Sequence, residues 1–199
     1  TIPGYLSQDL LYNPEFIDSN LAILEDIVEL SDLVSKELHA VVGYVGRNVG
    51  VGKPFTNMAA VIKAGSITAT YQKQLLPFYD VFDEMRYFEA GSTTTVFEIK
   101  GQKVGIAICE DLWNDKGADN YHYDDNPLAQ YRDVNVDVLL SLNSSPFVRS
   151  KVEERLDKVA PASIDGLTIV YVNQVGGQDE LVFDGGSFVA QGGQLTHFS

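Results

Sequence analysis

Four nearly uninterrupted apolar runs set the limits on what this 199-residue chain can fold into. They are AVVGYV (40–45), KVGIAI (103–108), VDVLLSLN (136–143) and GLTIVYVNQ (166–174). A strand that is apolar on both faces belongs inside a covered sheet, because a half-exposed strand alternates apolar with polar residues. Helical patterns alternate with these runs. Asn13-Pro14-Glu15 reads as a helix start, with asparagine as cap and proline in the first turn. From Ser19 to about Leu38, Leu24, Ile27, Val28, Val34 and Leu38 share one face, while Asp26, Glu29, Asp32 and Lys36 point away. Further helices are expected near 127–134 and over 150–164, the latter with Val152, Leu156 and Val159 inward. Other strands come as tight pairs. MAAVIKAG and SITATYQK turn near Gly65, and TTVFEI and KVGIAI turn at Lys100-Gly101-Gln102, with GSFVA following the glycine turn at Asp184-Gly185-Gly186. Crossovers and hairpins together predict an α/β fold with mixed sheets.

Charge and composition exclude several functions. Twenty-eight acids against 14 bases give a formal net charge of −14, which repels nucleic acid and anionic membranes at long range. No apolar run approaches a membrane span, and the opening TIPGYLSQDLLYNPEF lacks the basic and apolar regions of a signal peptide. One cysteine gives no disulfide framework, so the cytoplasm is the expected compartment. No GxGxxG follows a strand and no GxxxxGK[ST] occurs, so nothing here reads as a nucleotide site. The polar stretch 114–126 reads as a loop, and the acids and histidine of its DNYHYDD as solvated rather than metal-binding.

Three stretches carry chemistry. VGIAICEDLW (104–113) places Cys109 at the end of a buried strand, where α/β proteins collect active-site residues. A lone cysteine is otherwise a small buried hydrophobe, but Glu110 and Asp111 resist burial and imply that the strand opens into a polar place. QKQLLPFYDVFDEMRYF (72–88) sets Lys73 and Glu84 among Tyr79, Phe82, Tyr87 and Phe88, as in a lined pocket. LNSSPFVRSKVEER (142–155) puts Arg149, Lys151 and Arg155 after a strand end, a basic cluster able to bind a substrate carboxylate. Thiol, lysine and carboxylate suit attack on an amide: the thiolate adds to the carbonyl, the lysine stabilises thiolate and oxyanion, and a carboxylate acts as base. A papain-type arrangement would need His39, His122 or His197, and the residues flanking them argue for none.

With these motifs in place, the sequence resembles the nitrilase superfamily of carbon–nitrogen hydrolases, and within it the glutaminase domains of glutamine-dependent NAD synthetases. The matching blocks run in the family's order: GYLSQDLLYNPEF (4–16), YQKQLLPFYDVFDEMRYFEAG (71–91), VGIAICEDLW (104–113), LNSSPF (142–147) and YVNQVGGQDELVFDGGSFV (171–189). The resemblance implies a four-layer α-β-β-α sandwich, with residues 1–199 forming a partial glutaminase domain. It makes Cys109 the nucleophile that forms a γ-glutamyl thioester, and Lys73 the catalytic lysine, sharing the oxyanion with the backbone N–H of Glu110. Glu84 becomes the second carboxylate beside the lysine. Tyr79, Trp113, Ser145 and Lys151 line the glutamine pocket, and Arg155 and Glu180 lie in the same blocks as further substrate-binding candidates.

The resemblance also implies L-glutamine as substrate, self-association, and a synthetase domain in the same parent chain. The domain itself needs no cofactor or metal, whereas that synthetase domain would use ATP, magnesium and deamido-NAD. The family's general-base glutamate would fall just before Thr1, the first strand and helix are missing, and Leu6 stands where proline is usual. Both ends are expected to be cut, and the 199 residues alone to be inactive as an amidase. A stand-alone amidase of the superfamily and a catalytically inactive domain of the same fold are the alternatives.

Overall fold

The computed structural model describes residues 1–5, 7–113 and 123–199. It resolves into two compact units, Thr1–Thr93 and Thr94–Ser199. Leu6 and residues 114–122, among them Asp119 and His122 of DNYHYDD, lie outside the described residues, while Asp124 and Asp125 of the same stretch are exposed.

The first unit packs one long helix on a small sheet. Helix α1 (Pro14–Val34) is capped by Asn13, whose side chain accepts from the Glu15 N–H at 3.0 Å. It ends four residues short of the expected Leu38, and Val34 and Leu38 are exposed rather than inward. Strands β1 (His39–Arg47), β2 (Phe55–Lys63) and β3 (Ser66–Gln72) pair antiparallel in that order. After a one-turn helix α2 (Glu84–Tyr87), the two-residue β4 (Phe88–Glu89) runs parallel to the start of β2. Leu24 of α1 packs on Val42, Ala60 and Ile62 of the sheet. Asn20 of α1 is buried because it completes the edge of β1: it donates to the Val45 carbonyl at 2.8 Å and accepts from the Val45 N–H at 3.2 Å. A buried amide is tolerated when its partners are supplied in this way.

The second unit is a six-stranded mixed sheet with helices. Its strands are β5 (Val96–Ile99), β6 (Gln102–Ile108), β7 (Val138–Asn143), β8 (Thr168–Asn173), the hairpin β9 (Val175–Gln178) and β10 (Leu181–Asp184), β11 (Phe188–Gln191) and β12 (Gln194–Phe198). The sheet order is β12-β11-β8-β7-β6-β5. Here β6, β7 and β8 are parallel, which explains their continuous apolar runs, and the outer pairings are antiparallel. Helix α3 (Pro127–Asp133) precedes β7, and α4 (Lys151–Val159) gives way to a 3-10 turn at Ala160–Ala162 instead of continuing to 164. Tyr131, Leu139, Ile169, Tyr171 and Phe188 form the centre of its core. The hairpin β9–β10 and the edge strand β12 escape the sequence reading, because VGGQ and GGQLTHF carry more glycine and polar residues than a strand pattern allows. No described helix is long and apolar enough to cross a membrane.

Candidate active site

In the first unit, Lys73 and Glu84 form a buried ion pair. Lys73 follows β3 directly and continues its pairing, its N–H donating to the Asn57 carbonyl at 2.9 Å. The Gly91 N–H donates to the Lys73 carbonyl at 2.8 Å, an approach so close that a Cβ on Gly91 would lie 2.3 Å from the Gln72 carbonyl oxygen. The lysine is thus fixed on both sides of its backbone. Its Nζ donates to Glu84 Oε1 at 2.6 Å, with the two side chains 1% and 3% exposed. Glu84 opens α2, its N–H donating to the Pro77 carbonyl at 3.0 Å. Glu84 Oε1 also accepts from the Tyr5 hydroxyl at 2.8 Å, and Oε2 from the Asn57 amide at 3.2 Å. A buried ion pair is tolerated where further hydrogen bonds satisfy the carboxylate in this way. A cleft lined in part by Tyr5, Asn57, Asp83, Glu84, Tyr87 and Phe88 opens beside the pair. Of the aromatics expected there, Tyr87 and Phe88 line it, while Tyr79 packs edge-on against Phe82 with ring centroids 5.2 Å apart.

In the second unit, β6 ends in a sharp 3-10 turn, Cys109–Leu112. Cys109 is half-buried and has φ +45°, a left-handed conformation that a non-glycine residue adopts only when its surroundings enforce it. Asp111 supplies the enforcement: it is fully buried and its Oδ2 accepts from the Ile108 N–H at 2.8 Å, tying the turn back to the strand. Glu110 is also buried and accepts from the Tyr123 hydroxyl at 2.9 Å. The two acids therefore do not open the strand into a polar place as expected; both are taken inside with donors provided. Burial raises the Tyr171 phenol well above its ordinary value of 10.0, and the nearby charge of Cys109 adds to the rise while Arg155 opposes it.

The expected basic cluster does not exist as a unit. Arg149 is exposed. Lys151 pairs with Glu154 at 2.9 Å and lies 5.7 Å from the centre of the Trp113 ring, which Lys158 also approaches at 5.8 Å. Arg155 is fully buried with all five N–H groups committed inside the chain. That corrects its expected place among the substrate ligands, since no donor remains for a carboxylate. Glu180 sits exposed in the turn of the β9–β10 hairpin, while it is Asp184, at the hairpin's other end, that meets Arg155 at 2.9 Å. Of the histidines, His39 is bonded to its own turn at the Glu37 carbonyl, and His197 is exposed on β12.

The model of the family described as Carbon-nitrogen hydrolase matches residues 2–191. The chain belongs to the carbon–nitrogen hydrolase family. Its mixed α/β fold with several sheets is that of the family's solved structures. The glutamine-dependent NAD+ synthetase of Acinetobacter baumannii, solved with adenosine diphosphate, superposes with a TM-score of 0.83 at 37% identity, over 98% of this chain and 34% of that one. An amidase of the nitrilase superfamily from Nesterenkonia AN1 gives 0.75 at 19% identity, over 98% of this chain and 69% of that one. Among curated relatives, the glutamine-dependent NAD(+) synthetase of Synechocystis sp. is 37% identical over 191 residues, 93% of this chain and 34% of its own length. That of Thermotoga maritima is 35% identical over 190 residues, covering 94% and 30%. The chain spans about a third of the length of the curated relatives it matches.

Sequence reasoning on this carbon–nitrogen hydrolase missed the residues that hold others in place. Tyr5 and Asn57 reach Glu84 from 79 and 27 positions away, and Asn173 and Asp184 reach the Ser145 loop and Arg155 from 28 and 29. The one available signal was a polar residue closing an apolar strand, as Asn173 closes TIVYVN.

Proposed function

We propose that this chain is the glutaminase portion of a cytoplasmic, self-associating glutamine-dependent NAD synthetase. It would release ammonia from L-glutamine for a synthetase domain of the same parent chain, which converts deamido-NAD to NAD with ATP and magnesium. The observation that supports this best is the 37% identity to the Synechocystis synthetase across 93% of the chain. A strained cysteine at the end of β6 and a buried lysine–glutamate pair are the groups such chemistry needs.

In this reading the Cys109 thiolate adds to the amide carbon of glutamine. The Lys73 ammonium and the Glu110 N–H stabilise the oxyanion, a contribution of several kcal/mol where donors are fixed in advance (about 3 kcal/mol for one donor). The C–N bond then breaks, the nitrogen takes a proton and leaves as ammonia, and a γ-glutamyl thioester remains. Water attacks the thioester, giving glutamate and the free thiol. Glu84, with both oxygens occupied by donors, aims Lys73 rather than acting as base. The proton transfers fall to a separate general-base glutamate, which the resemblance implies.

Ammonia release by the complete protein, from L-glutamine against simple aliphatic amides, tests the proposal. Strong preference for glutamine is expected. Turnover of the other amides with glutamine ignored would assign the chain to a stand-alone amidase.

A further inference from the structure

Strand β6 delivers Cys109, yet among the described residues no strand pairs with its last part on the β5 side. The β5–β6 ladder ends where Val96 meets Gly105. Continued by one step, it would bring the Thr95 N–H onto the Ile106 carbonyl. The Tyr131 hydroxyl, from α3, stands between them instead, accepting from the Thr95 N–H at 3.2 Å and donating to the Ile106 carbonyl. The next place on that edge, the Ile108 N–H, is taken by Asp111 Oδ2 at 2.8 Å. On its other edge β6 stays paired with β7 as far as Ile108. Two side chains thus replace a strand where buried backbone groups need partners.

Asp111 does more than fill that place. It is the third residue of the turn Cys109–Leu112, and an acid there that accepts from the N–H of the residue before the turn locks the turn to its incoming strand. Cys109 lies inside this lock, at φ +45°. A buried carboxylate and a left-handed non-glycine residue are each costly, and such strain persists only where the surroundings over-determine it. The direction of the Cys109 Cα–Cβ bond, and so the place of its sulfur, follows from that backbone conformation. Cys109 is half-buried, whereas Asp111 is 0% exposed. The thiol can meet a substrate and the carboxylate cannot.

We infer that Asp111 is a positioning residue for the nucleophile: its carboxylate, with the Tyr131 hydroxyl holding the strand just before it, fixes the left-handed turn that aims the Cys109 sulfur at the amide carbon. This rests on the glutaminase reading, which makes Cys109 the nucleophile. Asp111 itself never touches substrate. Its contribution falls on the chemical step rather than on binding, since misplacing a reacting atom by about 1 Å can cost about a hundredfold in rate.

The test measures kcat and KM for glutamine-dependent ammonia release by the complete protein, as wild type, Asp111→Asn and Asp111→Ala, with urea midpoints to confirm folding. Asparagine keeps an oxygen that can accept from the Ile108 N–H, and alanine keeps none. Asp111→Ala is expected to lower kcat about a hundredfold with KM within about twofold of wild type. Asp111→Asn, with a weaker neutral acceptor, should lose no more than about fivefold in kcat. Equal losses in the two variants would show that the hydrogen bond to the turn is not what matters, and would overturn the inference. So would a loss that appears in KM, or an unimpaired Asp111→Ala. Should Asp111→Ala fail to fold, Asp111→Ser, with a side chain one bond shorter than aspartate, takes its place and is read the same way. Failure of both to fold would make Asp111 a stabilising residue only, which also overturns the positioning role. Wild type without glutamine turnover would instead overturn the glutaminase reading, and the inference with it.

Discussion

Lys73 and Glu84 could be retained for packing or for chemistry, and a pair of substitutions separates the two. Glu84→Gln keeps acceptor and shape toward Tyr5 but leaves a lysine that is 1% exposed without its anion. Breaking a buried ion pair from one side costs about 3–5 kcal/mol, whereas replacing both partners by neutral groups of similar volume is often close to neutral. Glu84→Gln alone should therefore lower the urea midpoint sharply, and Lys73→Met with Glu84→Gln should recover most of it. In the complete protein, under the proposed function, ammonia release should fall in Glu84→Gln, whose lysine has lost the carboxylate that aims it, and be abolished in the double variant, since methionine offers no charge to an oxyanion. Recovery of activity in the double variant would remove Lys73 from the chemistry, and two additive stability losses would mean that packing, not charge, holds the pair. Both residues were legible in the sequence as a lysine and a glutamate among aromatics. Their partners Tyr5 and Asn57 were not, because nothing in local spacing announces a hydrogen bond across 79 residues.

At the scale of elements, β6 and α3 are matched through one glycine. Tyr131 of α3 is fully buried, its hydroxyl donating to the Ile106 carbonyl and accepting from the Thr95 N–H at 3.2 Å. Burial raises this phenol far above its ordinary value, so the ring stays neutral and packed. It can lie flat on β6 only because Gly105 has no side chain: a Cβ there would sit 2.7 Å from Tyr131 Cε1 and 3.1 Å from Leu139 Cδ1. Gly105→Ala should cost about 1–3 kcal/mol from overpacking, read as a lowered urea midpoint with unchanged slope. An unchanged midpoint would show that α3 shifts freely. Strand existence here was legible from KVGIAI alone, since a continuous apolar run meets every demand of a central parallel strand. The hairpin β9–β10 was not, because its stability comes from pairing VGGQ with LVFD, a tertiary choice that overrides the poor strand propensity of glycine.

For the whole molecule, the order of motifs along the chain was enough to indicate the family, and the family model covering residues 2–191 shows it. The role of Arg155 was not legible. A basic residue near a strand end looks the same in sequence whether it binds substrate or closes a loop, and only its five internal acceptors decide. The same distinction between making and using a group governs the last prediction, for the complete protein under the proposed function. If these residues only produce ammonia, Cys109→Ala removes the nucleophile and nothing else: alanine is smaller, and it fits the half-buried turn that Asp111 continues to hold. NAD formation with glutamine as nitrogen source should then fall to background, while NAD formation with added ammonium salt proceeds near the wild-type rate. Loss of both would mean that Cys109 serves the synthesis step itself or supports the fold of the parent. Retention of both would mean that glutamine is hydrolysed elsewhere. Measuring the two nitrogen sources side by side on one preparation distinguishes all three outcomes, because a folding defect lowers them together and a missing nucleophile lowers one.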